Sequence, residues 1–387
     1  MGIRKRKRIL LVRLDAIGDF ILWLDAAAAL RQLYPRDTCR VTLLANRDWS
    51  ELASHLPWWD EVLPLHRHMF RERRSAHRLS LFCRIASRRF DIALQPTFSR
   101  EKQFGDTVIR WSRAAQRIGS VGDLSNISAE DRRQADSWYT HLVPAAAGPM
   151  WEVERNAEFM RQIGAPRFRG RLPLLPELEA ERSIADAADS GYVVLVPGAR
   201  HAIKRWPPAG FAEIARRIHA VCGARPVVLC GNTSENPVGD EIAASPGVSV
   251  TNLVGKTSLI QTLALLRRAA LVVSNDTMAV HLAAAAGTPV VCIAGGGHPG
   301  RFVPYPGDRG SAAPVYTVTR PLDCYGCSWD CRHPRSDAAP APCVDGISAD
   351  AVWAAILRVL DCREPRSTQT GPPGTLPQPG GSSSATT

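Results

Sequence analysis

LVVSNDTMAVHLAAAAGTPVVCI, residues 271–293, reads as a strand, a polar turn, a small-residue helix, a tight turn and a second strand. Leu271–Val273 and Val290–Ile293 are β-branched-rich runs of the kind buried on both faces of a parallel sheet. Asn275, Asp276 and Thr277 fall where the strand ends and the helix begins. Such residues cap a helix and leave backbone N–H groups facing outward, a natural seat for an anion and above all for phosphate. Ala283–Ala286 present almost no side chain, which lets the helix backbone approach its sheet, and Gly287 ends the helix. Taken alone, the stretch fits one more capped βαβ unit as well as it fits a binding site.

The same alternation extends in both directions. Before it lie strands at 8–14, 40–45, 61–65, 90–94 and 116–120, with helical periodicity over 20–34, 74–88, 101–114 and 151–163 and less regular sequence at 121–150. A second series starts with a strand at 192–196, a helix at 209–221, a strand at 226–230 and a helix at 258–268, and closes with a strand at 315–318 and a helix at 349–361. Strands alternating with helices predict an α/β fold with parallel sheets. The expected division is an N-terminal Rossmann-like domain over 1–172, a linker over 173–190, and a C-terminal Rossmann-like domain over 191–362. The final helix 349–361 belongs to the latter or packs back on the former. The Pro-, Gly- and Ser-rich tail 363–387 is expected to be disordered.

Composition narrows the function classes. The 387 residues hold 45% hydrophobic residues, enough for two cores, and no apolar run long enough to span a membrane. MGIRKRKR runs directly into an apolar strand with no small-residue cleavage pattern, so a cytoplasmic protein is expected. The net charge of +11 points to an anionic partner. Residues 66–90 carry eight Arg against one Glu, with Leu79, Leu81, Phe82 and Ile85 as an apolar stripe. That segment reads either as an exposed helix or as one lying on an anionic bilayer.

Three polar loops follow strands, where open parallel sheets bind ligands. The first holds Asp15, Gly18 and Asp19; it is not GxGxxG, which disfavours a nicotinamide site. The second, PGARHAIKRWPP, holds Gly198 and places Lys204 ahead of a helix. The third is the Asp276–Thr277 turn. Nearby, the GNTSEN turn offers Glu235 as an acceptor for a ribose hydroxyl.

Four segments resemble, in order, glycosyltransferase family 9, the ADP-heptose:lipopolysaccharide heptosyltransferases. They are ILLVRLDAIGDFILWLDAAAALRQLYP (9–35), VLVPGARHAIKRWPPAGFAEIA (194–215), VVLCGNTSENPVGDEI (227–242) and LVGKTSLIQTLALLRRAALVVSNDTMAVHLAAAAGTPVVCI (253–293). The resemblance implies a GT-B architecture, two Rossmann-like domains with parallel sheets facing across a cleft. It implies an inverting transferase that moves a heptose or related sugar from an ADP-sugar to a lipopolysaccharide-core or similar lipid-linked glycan. By that resemblance Asp19 is the general base and Lys204 pairs with the donor diphosphate. Gly18, Gly198, Glu235, Thr257, Asp276, Thr277, Met278 and His281 line the donor site. No cofactor is implied, nor a metal in the chemistry. The work would be done at the cytoplasmic face of the inner membrane, against an anionic surface. Where many relatives have Pro in the first helix this chain has Asp25, which leaves acceptor choice open.

Two other readings stand beside this one. A GT-B enzyme that modifies a nucleotide sugar, such as an epimerase, needs acid/base groups on both sides of the sugar, and only Asp19 is clearly placed. A basic nucleic-acid-binding protein would use Cys324-x2-Cys327-x3-Cys331-x11-Cys343 as a zinc knuckle; no nucleic-acid motif accompanies it, and no nucleic acid is expected. Those four cysteines leave a tetrahedral zinc site open against free thiols or a conditional disulfide.

Overall fold

The computed structural model describes residues 6–72, 76–181, 191–222, 225–307 and 312–360. The tail 363–387 and the second half of the linker, 182–190, lie outside them. Strands β1 (Lys7–Arg13), β2 (Cys39–Asn46), β3 (Glu61–Leu65), β4 (Ile92–Gln95), β5 (Gln116–Ser120) and β6 (His141–Val143) form one sheet. Strands β7 (Val193–Val196), β8 (Val227–Leu229), β9 (Thr251–Asn252), β10 (Leu271–Asn275), β11 (Val290–Ile293) and β12 (Val315–Val318) form another. The orders are β3-β2-β1-β4-β5-β6 and β12-β11-β10-β7-β8-β9, with every pairing parallel. Each is the same doubly wound order, and in each the chain reverses direction between the first and fourth strands, β1/β4 and β7/β10. Such switch points open a crevice at the carboxyl ends of the strands. The two Rossmann-like sheets give the GT-B architecture.

The central strands are buried because helices cover both faces. Val193–Val196, Leu271–Asn275 and Val290–Ile293 are buried along their whole length. The helix Ile17–Leu33 is apolar all round, with Phe20, Ile21, Leu22, Trp23 and Leu24 all buried. A helix of that kind needs neighbours on every side. One side meets its own sheet; another packs on the helix Met278–Ala285 of the second sheet. Leu22 and Ala284 belong to one apolar cluster with Trp151 and Val153. The alanines of 283–286 thus admit a helix from the other domain.

Residues 121–150 contain a helix, Ala129–Asp136, and the edge strand β6, both too polar to announce themselves by periodicity. The stretch 101–114 opens with a π-turn, Lys102–Asp106, before a short helix Thr107–Ser112. The last described helix, Ala349–Ile356, packs on β11, β12 and the helix Pro208–Val221, so it stays with the C-terminal sheet. Its Val352, Ala355 and Ile356 fill that core instead of returning to the N-terminal one. Of the apolar stripe in the basic segment, Leu81, Phe82 and Ile85 are buried against the N-terminal core and Leu79 is exposed. The apolar stripe is therefore spent on folding, not presented to a bilayer.

Candidate functional site

On the N-terminal side the site is the turn after β1. The Asp15 carbonyl accepts from Trp49 Nε1 at 3.0 Å and Asn46 Nδ2 at 3.1 Å, both from the end of β2 and its following helix. Arg13, 1% exposed, pairs through Nε with Asp15 at 2.7 Å. Its other guanidinium nitrogens donate to Asn156 Oδ1 at 3.1 Å and to the Asp19 carbonyl at 3.3 Å. Glu152 lies 3.9 Å from Arg13 and 3.3 Å from Arg301 Nε. Arg301 belongs to the loop after β11, so this ion pair joins the two domains; its backbone carbonyl also accepts from Glu152 N–H at 2.8 Å. Beside the turn a small open depression is lined by Leu14, Asp15, Arg67, Thr97, Ser99 and Glu101.

Asp19 stands in this group without a hydrogen-bond donor of its own among the described residues. Burial, then the charges of Asp15 and Glu152, push its carboxyl up to about 7, against the opposing pull of Arg13 and Arg301. A carboxylate poised there is a competent general base near neutral pH. Burial also raises Asp15, whose partner Arg13 opposes the shift.

On the C-terminal side, β10 ends in Asn275, which is fully buried. Its amide donates to the carbonyls of Pro197 at 2.7 Å and Gly198 at 3.3 Å, and its oxygen accepts from Trp206 N–H at 3.0 Å. This one side chain staples both ends of the 197–206 loop to the strand. Lys204 is thereby brought to Asp276, Nζ to Oδ2 2.9 Å, and lies 5.0 Å from the Trp329 ring centroid. Thr277 caps the helix Met278–Ala285 by accepting from Ala279 N–H. At the other end Gly287 takes φ +82°, with Gly287 N–H on the Ala284 carbonyl and Thr288 N–H on that of Ala283. This is the glycine helix stop expected there.

Glu235 is buried and accepts from Asn232 N–H at 2.8 Å, closing a capping box. Its carboxylate packs so closely on Gly198 that a Cβ at 198 would overlap it. Thr257 faces Thr262 Oγ1 at 3.0 Å and the Cys230 thiol at 3.8 Å. His281 Nδ1 shares a hydrogen bond with the Tyr305 hydroxyl at 2.6 Å, and burial lowers its pKa to about 4, so the ring is neutral at pH 7.

The two sides touch. A Cβ on Gly18 would come within 3.0 Å of the His281 ring and 3.8 Å of Met278 Cα. The turn bearing Asp19 therefore rests on the first turn of the helix Met278–Ala285.

The sequence-predicted residues thus fall into neighbouring groups: Gly18 and Asp19 against Met278 and His281, Lys204 with Asp276, and Gly198 with Glu235. Asp25 points elsewhere, accepting from Arg171 N–H at 2.9 Å, and so anchors the end of the N-terminal domain ahead of the linker. The four cysteines do not converge on one point. Among the described residues, the donor atoms that gather within 4.8 Å are those of Asp323, Cys324 and His333. Arg13, Glu152, Arg301 and Tyr305 were not foreseen, and Asn275, expected at the helix cap, instead holds the 197–206 loop while Thr277 caps. An arginine inside the apolar strand RILLVRL was the one sequence signal for this network.

Residues 129–311 match the family described as glycosyltransferase family 9 (heptosyltransferase). The chain is 26% identical over 314 residues to lipopolysaccharide heptosyltransferase 2 of Salmonella typhimurium, covering 76% of this chain and 84% of that one. The solved structure of the E. coli ADP-heptose lps heptosyltransferase II superposes with a TM-score of 0.65 at 20% identity, over 91% of this chain and 98% of the other. E. coli heptosyltransferase WaaC with ADP-2-deoxy-2-fluoro heptose superposes with a TM-score of 0.65 at 19% identity, over 91% and 99%.

Proposed function

We propose that this chain is a family 9 glycosyltransferase that moves a heptose, or a closely related sugar, from an ADP-linked donor to a lipopolysaccharide-core or similar glycan, with inversion at the anomeric carbon. One observation carries the reading: the turn bearing Asp19 abuts the helix N-terminus next to the Lys204–Asp276 pair. Inversion requires a base on one face of the sugar and charge stabilisation of the leaving diphosphate on the other. Asp19 deprotonates the attacking acceptor hydroxyl. Lys204 and the N–H groups at Thr277–Met278 take the growing charge of the leaving ADP. Neutral His281 positions the junction and cannot serve as a cation there. Glu235 offers its second carboxylate oxygen to the ribose.

The acceptor enters through the depression lined by Arg67, Thr97, Ser99 and Glu101. An anionic membrane surface as the place of work is supported by the net charge of +11, and no helix among the described residues is long and apolar enough to cross a membrane. The test is a product assay in which ADP-, UDP- and GDP-sugars are offered with a lipopolysaccharide-core acceptor and the anomeric configuration is read by NMR. Transfer from ADP-heptose with inverted configuration is expected. Retention of configuration, or turnover confined to UDP-sugars, overturns the reading.

A further inference from the structure

Between β12 and the last helix the chain makes a strap, residues 323–333, with no regular secondary structure. It is laid over the Gly295–Gly297 run that follows β11. Gly326 N–H donates to the Gly296 carbonyl at 2.7 Å and Ser328 N–H to that of Gly297 at 2.9 Å. From beneath, Gly296 N–H donates to Cys343 Sγ at 3.4 Å. Glycine is required at 295–297 because the rings lie on it. A Cβ on Gly295 would meet Trp329 at 2.8 Å, one on Gly296 would overlap Tyr325, and one on Gly297 would overlap the Trp329 indole.

Three features of Trp329 are unusual together. Its backbone is in the left-handed region, φ 68°, following Ser328 at φ 52°. A bulky residue rarely adopts that conformation, and such strain gathers at functional sites. Its ring faces the Lys204 ammonium at 5.0 Å, so the lysine paired with Asp276 is also held by an aromatic face. Its Nε1 is buried with no hydrogen-bond partner among the described residues, a donor left unspent. Burying a donor without a partner is unfavourable and calls for a reason. Core Trp23 also leaves its Nε1 unpartnered, so the N–H alone does not set Trp329 apart; the left-handed backbone and the ring facing the one lysine of the site do.

We propose that Trp329 is a donor-binding residue: its ring keeps Lys204 in place when the donor diphosphate displaces Asp276, and its free indole N–H donates to an oxygen of the bound nucleoside-diphosphate sugar. The inference rests on the donor site proposed above. The strap, tied to Gly296 and Gly297 by its Gly326 and Ser328 N–H groups and closed on itself by the Cys324–His333 contact at 3.6 Å, is what aims the ring.

The experiment is ADP binding by calorimetry on the full-length wild type, Trp329→Ala, Trp329→Phe, Lys204→Met and the Lys204→Met/Trp329→Ala double variant. Trp329→Ala is expected to weaken ADP about five- to thirty-fold, the range of one desolvated cation–π contact. Trp329→Phe keeps a ring but no N–H and should fall between the two. In the Lys204→Met background the alanine change should lose most of its effect, an energetic link that a purely structural tryptophan would not show. With saturating donor, kcat should change less than KM. Equal ADP affinity in wild type and Trp329→Ala, or full additivity in the double variant, overturns the proposal. If Trp329→Ala fails to fold, Trp329→Phe decides, and unchanged affinity there overturns the proposal as well. Wild-type protein that binds no ADP at all would instead defeat the donor-site reading on which this one stands.

Discussion

The Lys204 ammonium lies 2.9 Å from the Asp276 carboxylate, with both side chains mostly shielded from water. The lysine's charge is therefore already paired, and under the proposed function a donor diphosphate competes with Asp276 for it. Lys204→Ala is expected to weaken ADP binding about ten- to hundred-fold, as a charge-assisted hydrogen bond is worth roughly 1.5–3 kcal/mol. Calorimetry with ADP measures this; unchanged affinity would remove Lys204 from the donor site.

Asp19→Asn keeps the shape of the turn and removes the base. Turnover should drop by about 10²–10⁴ while ADP affinity stays near wild type. Near-normal turnover of the Asn variant with the physiological acceptor would rule Asp19 out.

The raised carboxyl of Asp19, about 7, fixes the sign of the pH dependence. The base form exists above that value, so kcat/KM of the wild type should climb as pH rises from 6 to 8 and then level off. A profile flat across that window sinks the assignment.

The same shift works against stability. Folded Asp19 holds its proton up to about 7, whereas in the unfolded chain it releases it near the ordinary 3.8. Between these values the folded state binds more protons, so stability falls as pH rises through the interval. Asp19→Asn should therefore melt at a higher temperature than wild type at pH 8, with the gap closing toward pH 4. A lower melting temperature at pH 8 would contradict this.

Gly198→Ala places a methyl group into the Glu235 carboxylate. Glu235 would have to leave Asn232 N–H and open the capping box. Loss of both stability and ADP affinity is expected, larger than for Gly18→Ala, where the His281 ring at 3.0 Å needs to give only slightly. Equal melting temperatures for wild type and Gly198→Ala would refute the close packing.

Much of this protein is legible in its sequence because the deciding signals are local. Buried parallel strands must be apolar along their length, so β7, β10 and β11 announce themselves. The turn residues Asp19, Thr277 and Gly287 mark helix ends by their own hydrogen-bonding and backbone preferences. The polar helix Ala129–Asp136 and the edge strand β6 were missed because neither buries a periodic face. What only the tertiary structure decided is which distant residues share an environment. Asp25 and Asp19 look alike in one helix, yet one accepts the Arg171 N–H and the other is raised to about 7 by burial beside Asp15 and Glu152. The alanine face of 283–286 was expected to meet its own sheet, and it also receives Leu22 from the other domain. Arg301 and Glu152, 149 residues apart, form the ion pair beside Asp19. Trp329 reaches Lys204 only because the strap folds back over three glycines. Charge and burial at a point are sums over everything nearby in space, and a sequence records only what is nearby along the chain.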